Sequence, residues 1–271
     1  QLVVDNFRRW ERELLLRVRK LSFSYGKHKV LNNVNFTIDE PCVVSLIGPN
    51  GSGKSTLLRC LNGLLPVKNY TVFLFDKPIE KLGVKERAKL ISYLPQNQER
   101  LRGVNVHELV SMGRAPYHRS GWVNNKKDIE QINWSIDYMQ LGSMIHRPLE
   151  KLSGGERQRA WIAMVLAQDT PIILLDEPAT YMDLKYQYEL LKTLKDFKES
   201  FNKVIIAVFH DINHAIKVSD QVYLLNEGSI YRAGASEQVI TEESVKDVYD
   251  VRVHVCDFKK CRHKVVVPAE V

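Results

Sequence analysis

The stretch from Cys42 to Thr56 constrains the fold of this chain most strongly. It begins with the short apolar run Cys42–Ile47 and continues as GPNGSGKST. A strand buried on both faces, then a glycine-rich turn and a helix, is typical of a parallel sheet covered by helices. Similar apolar runs at Pro171–Leu175 and Lys203–Phe209 predict further buried strands. The predicted fold class is therefore α/β.

The nine residues that follow the first apolar run match the phosphate-loop pattern. Glycines allow backbone N–H groups to turn toward phosphate oxygens, and the next helix adds its positive end. In this pattern Lys54 meets the β- and γ-phosphates of a nucleotide, and the hydroxyl of Ser55 is a ligand of Mg²⁺. The predicted nucleotide contacts are Gly48, Pro49, Asn50, Gly51, Ser52, Gly53, Lys54, Ser55 and Thr56.

Two carboxylates, Asp176 and Glu177, follow the apolar run PIILL. They leave the C-terminal edge of a buried strand, which is where parallel sheets bind ligands. Asp176 is the predicted Mg²⁺ carboxylate, and Glu177 the predicted general base that deprotonates the attacking water. Because an Asp-Glu pair alone is more often a solvated turn, the upstream phosphate loop is what favours the catalytic interpretation.

A second glycine-containing motif, LSGGE, lies just before the apolar helix Ala160–Ala167. Ser153 and Glu156 form a predicted capping box, and the glycines leave the first N–H groups of the helix open to an anion. Together, in this order, the phosphate loop and LSGGE resemble the nucleotide-binding subunit of ATP-binding cassette (ABC) proteins. The resemblance extends from about Leu14 to Val267, nearly the whole chain.

Further residues resemble functional residues of that family. Tyr25 in FSYG is similar to the aromatic residue that stacks on adenine, and Gln96 in YLPQ to the glutamine that senses Mg²⁺ and the water. His210 in VFHD resembles the switch histidine at the γ-phosphate, and Asp183 the aspartate of the loop that crosses to the other subunit. The resemblance implies ATP as the nucleotide, Gln96, Glu177 and His210 as catalytic residues, and Ser55, Gln96 and Asp176 as Mg²⁺ ligands.

The family's mechanism implies a head-to-tail homodimer with two ATP molecules at its interface. Each ATP would lie between the phosphate loop of one chain and the signature residues of the other. Removal of the γ-phosphate by hydrolysis would then open the pair. The implied signature residues are Leu152, Ser153, Gly154, Gly155 and Glu156.

The chain is predicted to form a single nucleotide-binding domain, residues 1–271. The expected ATP-binding core comprises residues 14–96 and 151–235 and includes an antiparallel β-subdomain, whose strands Leu14–Phe23 and Val34–Ile38 alternate apolar and polar residues. A helical subdomain is inserted at residues 97–150, with Asn105 and Glu108 as a capping box and Gly142 as a helix stop. Residues 236–271 form a C-terminal segment.

Four segments resemble importers for ferric siderophores, haem and cobalamin: Glu108–Tyr117, Arg159–Gln168, Ala179–Gln187 and, more weakly, His210–Ala215. This resemblance implies a separate integral membrane permease dimer, an extracytoplasmic substrate-binding protein, and a peripheral location on the cytoplasmic face of the membrane. The expected permease contact lies around Gln98–Tyr117, where Arg114 taken alone would be a surface charge. A ferric siderophore is the leading cargo.

An alternative is a soluble ABC ATPase that serves as an assembly factor, for example in iron-sulfur cluster building. The net charge of +7 permits phosphate-rich partners, but without interleaved aromatic and basic residues no nucleic-acid partner is predicted. The longest apolar run, Ala160–Ala167, is far shorter than the ~20 residues of a membrane-spanning helix. Four cysteines are too few for a disulfide framework, and a reducing cytoplasm is expected.

The C-terminal segment contains HVCDFKKCRH, with His254, Cys256, Cys261 and His263. A hairpin turning at Asp257–Lys260 is the favoured interpretation, because the paired Cys-x-x-Cys motifs of a strong zinc pattern are absent. A metal site and a disulfide stay open as alternatives. Residues 1–12 carry little weight in the prediction.

Overall fold

A computed structural model describes residues 14–98, 101–118, 125–180, 182–257 and 263–269. These residues form two main β-sheets, a two-stranded C-terminal sheet and a layer of helices. The strands are β1 (Leu16–Tyr25), β2 (His28–Ile38), β3 (Val43–Ile47), β4 (Val72–Leu74), β5 (Lys77–Pro78), β6 (Ile91–Leu94), β7 (Ile172–Asp176), β8 (Val204–Val208), β9 (Gln221–Asn226), β10 (Ser229–Gly234), β11 (Val253–Cys256) and β12 (Val265–Pro268). The α-helices are α1 (Lys54–Leu61), α2 (Val84–Arg87), α3 (Val106–Met112), α4 (Lys126–Tyr138), α5 (Gly154–Ala167), α6 (Leu184–Phe201), α7 (Ile212–Val218), α8 (Ser236–Val239) and α9 (Glu242–Tyr249).

The larger sheet has the strand order β10-β9-β3-β8-β7-β6, and all its pairings are parallel except that of β10 with β9. Strands β3, β7 and β8 are buried along their whole length. Alternate residues of β3 face different cores: Val43 and Ile47 belong to the core that includes α6 and α7, whereas Val44 and Leu46 belong to the core that includes α1. The predicted α/β class, with strands buried on both faces, is confirmed.

The smaller sheet is antiparallel, with the order β2-β1-β4-β5. Strand β1 begins and ends two residues later than predicted, and β2 is longer than predicted, because pairing continues to Tyr25 opposite His28. Register shifts between Val18 and Ser24 interrupt the ladder, and Lys20 adopts a positive φ of 49°. Such bulges disturb the alternation of apolar and polar residues, which is why the sequence pattern located both strands but displaced the first and shortened the second.

Helices α3, α4 and α5 pack against one another and form a helical layer, which reaches the larger sheet through the contact of α5 with β6. The predicted capping box at Asn105 and Glu108 is present at the start of α3. The predicted stop at Gly142 is wrong, since α4 ends at Tyr138 and Gly142 starts a short 3-10 turn. Gln140 instead takes the left-handed conformation that reverses the chain, with φ 55°. Trp122 of this region lies outside the described residues.

The C-terminal segment folds back onto the core. Strands β11 and β12 pair antiparallel, with Cys256 opposite Val265, and the Asn213 side chain of α7 makes two hydrogen bonds to the Val266 backbone. Cys261 lies outside the described residues. Within the part that the structure describes, no cluster of three potential metal ligands occurs, and no helix is long and apolar enough to cross a bilayer.

Candidate functional site

The loops that follow four neighbouring strands meet at one edge of the larger sheet. The phosphate loop follows β3, Gln96 follows β6, Glu177 follows β7 and His210 follows β8. Because these strands are parallel and adjacent, their carboxyl ends lie side by side. They enclose an open cleft of about 400 Å³ lined by Val30, Asn50, Gly51, Gly53, Lys54, Ser55, Thr56, Gln96, Glu177 and His210.

The phosphate loop needs glycine at both of its ends. At Gly48, with φ 146°, an added Cβ would lie 2.2 Å from the Leu225 carbonyl oxygen of β9. At Gly53, with φ 99°, it would lie 2.9 Å from the Val30 carbonyl oxygen. Gly53 also caps α1 without a side-chain hydrogen bond, so the first N–H groups of that helix stay open to an anion.

The side chain of Lys54 is enclosed by its own loop. The residue is only 6% exposed, and its Nζ donates hydrogen bonds to the Gly48 and Pro49 carbonyl oxygens, both at 2.8 Å. Burial lowers the pKa of Lys54, while the carboxylates of Glu177 and Asp176 oppose that shift. The loop therefore holds a buried cation beside the cleft, where the phosphates of a nucleotide would bind.

Asp176 is completely buried, and both of its oxygens have partners. Ser55 Oγ donates to Oδ1 at 2.9 Å, and the Tyr93 hydroxyl donates to Oδ2 at 3.2 Å. Burial raises the pKa of Asp176, and the hydrogen bonds from Ser55 and Tyr93 oppose this rise. The convergence of a hydroxyl and a carboxylate oxygen suits Mg²⁺, which binds oxygen ligands. The predicted pair Ser55 and Asp176 is therefore brought together in a chemically suitable way.

The carboxylate of Glu177 is held at both oxygens. His210 Nε2 lies 2.6 Å from Oε1, and Thr180 Oγ1 donates to Oε2 at 3.2 Å. The Glu177 backbone is left-handed, with φ 54°, a conformation that costs a non-glycine residue free energy. Its side chain is 8% exposed, whereas that of His210 is 50% exposed. The structure thus orients one carboxylate at the cleft by backbone strain and two side-chain contacts.

Tyr25 stands apart from these residues. It ends β1, is 46% exposed, and its ring packs edge-on against Phe23 with centroids 4.9 Å apart. Hydrogen bonds to Tyr93 and Tyr25 raise the pKa of Arg59 on α1. The predicted adenine-stacking residue is therefore an accessible aromatic ring, linked through Arg59 to the Tyr93 side chain that contacts Asp176.

The LSGGE segment starts α5 as predicted. Ser153 N–H donates to Glu156 Oε2 at 2.7 Å, and Glu156 N–H donates to Ser153 Oγ at 3.3 Å. The Ser153 backbone hydrogen bond lowers the pKa of Glu156. Among the described residues lining the cleft, none belongs to Leu152–Glu156. Asp183 caps α6 by accepting from the Tyr186 N–H at 3.1 Å.

Arg114 would be a surface charge if taken alone and lies in the segment expected to contact the permease, but the structure buries it. Arg114 is 3% exposed, and its Nε lies 2.9 Å from Asp128 Oδ1 on α4. Its Nη1 donates to the Ala167 carbonyl of α5 at 2.7 Å, and its guanidinium lies 3.9 Å from the Tyr117 ring centroid. Since a cation can enter the interior when every donor finds a partner, Arg114 joins the three helices of the helical layer instead of facing a partner.

Three residues near the cleft were not predicted from the sequence. Tyr93 could have been noticed, because a tyrosine in the buried strand ISYL needs a polar partner. Thr180 carries a hydroxyl three residues after Glu177, which is a weaker signal. Burial raises the pKa of Tyr249 to about 12, opposed by a hydrogen bond with the Gly48 backbone. No sequence signal connects Tyr249 with the phosphate loop.

The fold and the cleft define a phosphate-loop nucleotide-binding protein, and the known proteins that it resembles agree. The family model for ABC transporters matches residues 31–180. The chain is 38% identical to the iron(3+)-hydroxamate import ATP-binding protein FhuC of Bacillus subtilis (strain 168), over 89% of each chain. It is 36% identical to the ferric enterobactin transport ATP-binding protein FepC of Escherichia coli (strain K12), over 93% of each.

A solved structure also resembles the chain over nearly its full length. It is that of a metal-chelate type ABC transporter in an inward-facing conformation, with a TM-score of 0.82 and 25% identity. The superposition covers 95% of this chain and 98% of the other. The chain therefore belongs to the ABC transporter family, as one of its ATP-binding ATPases. The predicted family, fold and ATPase activity are confirmed.

Proposed function

We propose that this chain is the ATP-hydrolysing subunit of an importer for an iron chelate, with a ferric siderophore as the leading cargo and haem or cobalamin as alternatives. The observation that carries the proposal is the sequence similarity to proteins named for iron(3+)-hydroxamate and ferric enterobactin transport, which are 38% and 36% identical over about nine-tenths of the chain. The cleft supplies the ATPase machinery, but a nucleotide-binding subunit need not touch the cargo.

The phosphates of ATP would bind at the start of α1. Lys54 and the open first-turn N–H groups contact the β- and γ-phosphates, and Tyr25 stacks on the adenine. The residues that would hold Mg²⁺ are Ser55 and Asp176, together with Gln96 from the neighbouring loop. When bound, Mg²⁺ neutralises charge on the β- and γ-phosphates.

Glu177 accepts the proton of the attacking water in this proposal. Its carboxylate already faces the cleft, because His210 and Thr180 hold one oxygen each. A base must lie within hydrogen-bonding reach of the proton that it removes, so this orientation matters more than the mere presence of a carboxylate. His210 also lies at the cleft, where it can contact the γ-phosphate.

A second copy of the chain completes the site. The open start of α5, at Ser153 and the two glycines, has no place among the described residues lining this chain's own cleft. In a head-to-tail homodimer it contacts the γ-phosphate bound by the partner. Asp183 lies at the start of α6, in the loop that crosses to that partner.

The dimer can be tested with Ser153→Arg in a Glu177→Gln background, which slows hydrolysis. We expect ATP binding by the monomer to persist and ATP-driven dimerisation, measured by light scattering after size exclusion, to be lost. Glu130→Arg, which places the same side chain at an exposed position of α4, is the control and should dimerise normally. Undiminished dimerisation of the Ser153→Arg protein would refute contact in trans.

The permease dimer is proposed to contact the exposed part of Gln98–Tyr117, with Arg114 excluded by its burial. This places the chain at the cytoplasmic face of the membrane, in a system that includes an extracytoplasmic substrate-binding protein. Purification of the tagged chain from detergent-solubilised membranes of its host should recover a many-span permease in stoichiometric amount. Recovery of soluble partners only, with ATPase activity intact, would favour the assembly-factor alternative.

The cargo is tested by uptake in cells that lack this chain. We expect loss of uptake of radioactive iron supplied as ferric siderophore, and recovery with the wild-type chain but not with Glu177→Gln. Haem and cobalamin uptake are measured in the same cells. If haem uptake alone or cobalamin uptake alone is lost, the cargo assignment changes while the importer proposal stands. If uptake of the ferric siderophore, of haem and of cobalamin all continue normally, the importer proposal fails.

A further inference from the structure

Two glutamine side chains connect the loop after β6 to the loop after β7. Gln98 Nε2 donates to Gln158 Oε1, and Gln158 Nε2 donates to the Pro178 carbonyl oxygen at 2.9 Å. Gln158 lies on α5 and is only 2% exposed. The two hydrogen bonds span three segments that are distant in the sequence, and both depend on the Gln158 amide.

The direction of these hydrogen bonds follows from the acceptor at one end. A carbonyl oxygen such as that of Pro178 can only accept, so Gln158 must present its NH₂ group to it. The Gln158 oxygen then faces Gln98, which must donate. Each amide thus has one orientation that satisfies its partners, and loss of either partner leaves a buried polar group without a hydrogen bond.

The ends of this connection carry residues of the cleft. Gln98 lies two residues after Gln96, and Pro178 follows Glu177 directly. Both Gln96 and Glu177 line the cleft. In the middle, Gln158 lies on the helix that LSGGE starts and that packs against α3 and α4. One buried side chain therefore touches the glutamine loop and the catalytic loop from within the helical layer.

We propose that Gln158 is a positioning residue that couples the loop carrying Gln96 to the orientation of Glu177. The hydrogen bond to the Pro178 carbonyl holds the peptide next to the strained Glu177 backbone and so keeps its carboxylate against His210. Displacement of Gln98 or of α5 loosens that hold. The proposal rests on the ATPase activity and on Glu177 as its base, and it is independent of the cargo.

The connection through Gln158 offers a bound partner protein a route to influence the base, Glu177. Gln98 is the first residue of the segment assigned to permease contact, and two hydrogen bonds separate it from the peptide that follows Glu177. A contact that moves Gln98 would change the rate of hydrolysis without touching ATP.

The first test compares kcat with ATP affinity. Gln158→Leu removes both hydrogen bonds at similar volume, and we expect kcat to fall about tenfold to a hundredfold, as for a misplaced catalytic group, with the Kd for ATP within about twofold. Gln158→Glu retains an acceptor for the Gln98 amide, but it places a carboxylate oxygen against the Pro178 carbonyl oxygen, where no hydrogen bond can form. We therefore expect its kcat to fall as well.

Gln131→Leu is the matched control. Gln131 also hydrogen bonds to the α5 region, through the Leu166 carbonyl at 3.2 Å, but it lies in α4. We expect its kcat to be unchanged. Equal losses of kcat in Gln131→Leu and Gln158→Leu, or an unchanged kcat in Gln158→Leu, would overturn the proposal. If Glu177 is not the base, Glu177→Gln retains turnover, a result separate from either of these.

The second test does not require a variant in the core. Gln98 is only partly buried, so Gln98→Leu should fold even if Gln158→Leu does not. We expect faster backbone hydrogen exchange in peptides covering residues 176–183 and a lower kcat. Wild-type exchange and wild-type kcat in Gln98→Leu would refute the coupling.

Discussion

The cleft and the helical layer both bury charged side chains, but they use them differently. At the cleft, Lys54 and Glu177 line an open space, Asp176 lies behind the cleft residue Ser55, and burial shifts the pKa of Lys54 and of Asp176. In the helical layer, Arg114 and Asp128 lie against each other, with the remaining contacts of Arg114 made to backbone and to an aromatic ring. A buried charge therefore indicates a ligand site only where it faces a cavity.

The largest expected effect is on hydrolysis at the cleft, and Glu177→Gln tests it. The amide cannot accept the proton of water, so turnover should fall by about 10²–10⁴-fold while ATP binding persists and an ATP-bound dimer accumulates. Phosphate release and equilibrium ATP binding measure this. Glu130→Gln, an exposed change on α4, should be neutral. Wild-type hydrolysis by Glu177→Gln would show that the base lies elsewhere.

Arg114→Leu tests whether the buried charges of the helical layer stabilise the fold. It removes the guanidinium that lies 2.9 Å from the buried Asp128 carboxylate and leaves the His118 imidazole 3.7 Å away, which should lower the free energy of unfolding by about 3–5 kcal/mol in a denaturant titration. Adding Asp128→Asn should recover part of the loss, because a neutral amide needs no cation. Lys185→Leu removes an exposed ion pair with Glu189 and should cost less than about 1 kcal/mol. Similar costs for Arg114→Leu and Lys185→Leu would show that the buried pair stabilises little.

Lys54→Ala tests whether the buried cation of the cleft serves a ligand. Charge-assisted hydrogen bonds contribute about 1.5–3 kcal/mol each, so ATP affinity should fall at least about tenfold. Titration with a fluorescent nucleotide measures the Kd, and Lys27→Ala at the exposed β1–β2 turn is the control. Unchanged affinity in the Lys54→Ala protein would contradict the proposed phosphate contact.

The smallest expected effect is the pH dependence of stability that comes from the buried thiols of Cys42 and Cys60, which do not face the cleft. Burial raises the pKa of Cys42 and of Cys60 from 9.0 to about 12. The folded thiols thus keep their protons where unfolded thiols lose them, so their stabilising contribution is complete below pH 9 and is lost as the pH rises toward 12. Replacing both with Ala should flatten the alkaline decline in the free energy of unfolding.

Alkylation followed by peptide mapping checks the same prediction at pH 8. Cys42 and Cys60 are buried and should react only after unfolding, whereas the partly exposed Cys256 should react in the native protein. Rapid alkylation of Cys42 or Cys60 under native conditions would contradict the burial on which the predicted pH dependence rests.

The helix starts and the phosphate loop could be predicted because their determinants are close together in the sequence. The capping boxes at Asn105 and Ser153 each join residues three apart, and the glycines of the phosphate loop act through their own backbone. The partners of Asp176 and Glu177 could be predicted only in part. Tyr93 lies 83 residues from Asp176 along the chain, and its contact depends on β6 lying beside β7.

Arg114 and Gln158 show where the sequence pattern was insufficient. A charged residue in a helix is usually solvated, and only the packing of α3 against α4 and α5 places the Arg114 guanidinium beside Asp128. Gln158 follows the LSGGE segment and has no distinguishing neighbours in the sequence. Its two hydrogen bonds appear only when three distant segments meet.

The sequence by itself determined the strand, glycine-rich loop and helix that bind phosphate, because φ angles and helix capping depend on residues a few positions apart. It also determined the family, since the order of its motifs is specific. Tertiary structure alone decided which strands became neighbours, how His210 and Thr180 hold Glu177, and why Arg114 is buried. Those outcomes depend on burial of apolar surface between segments far apart in the chain, which no local pattern records.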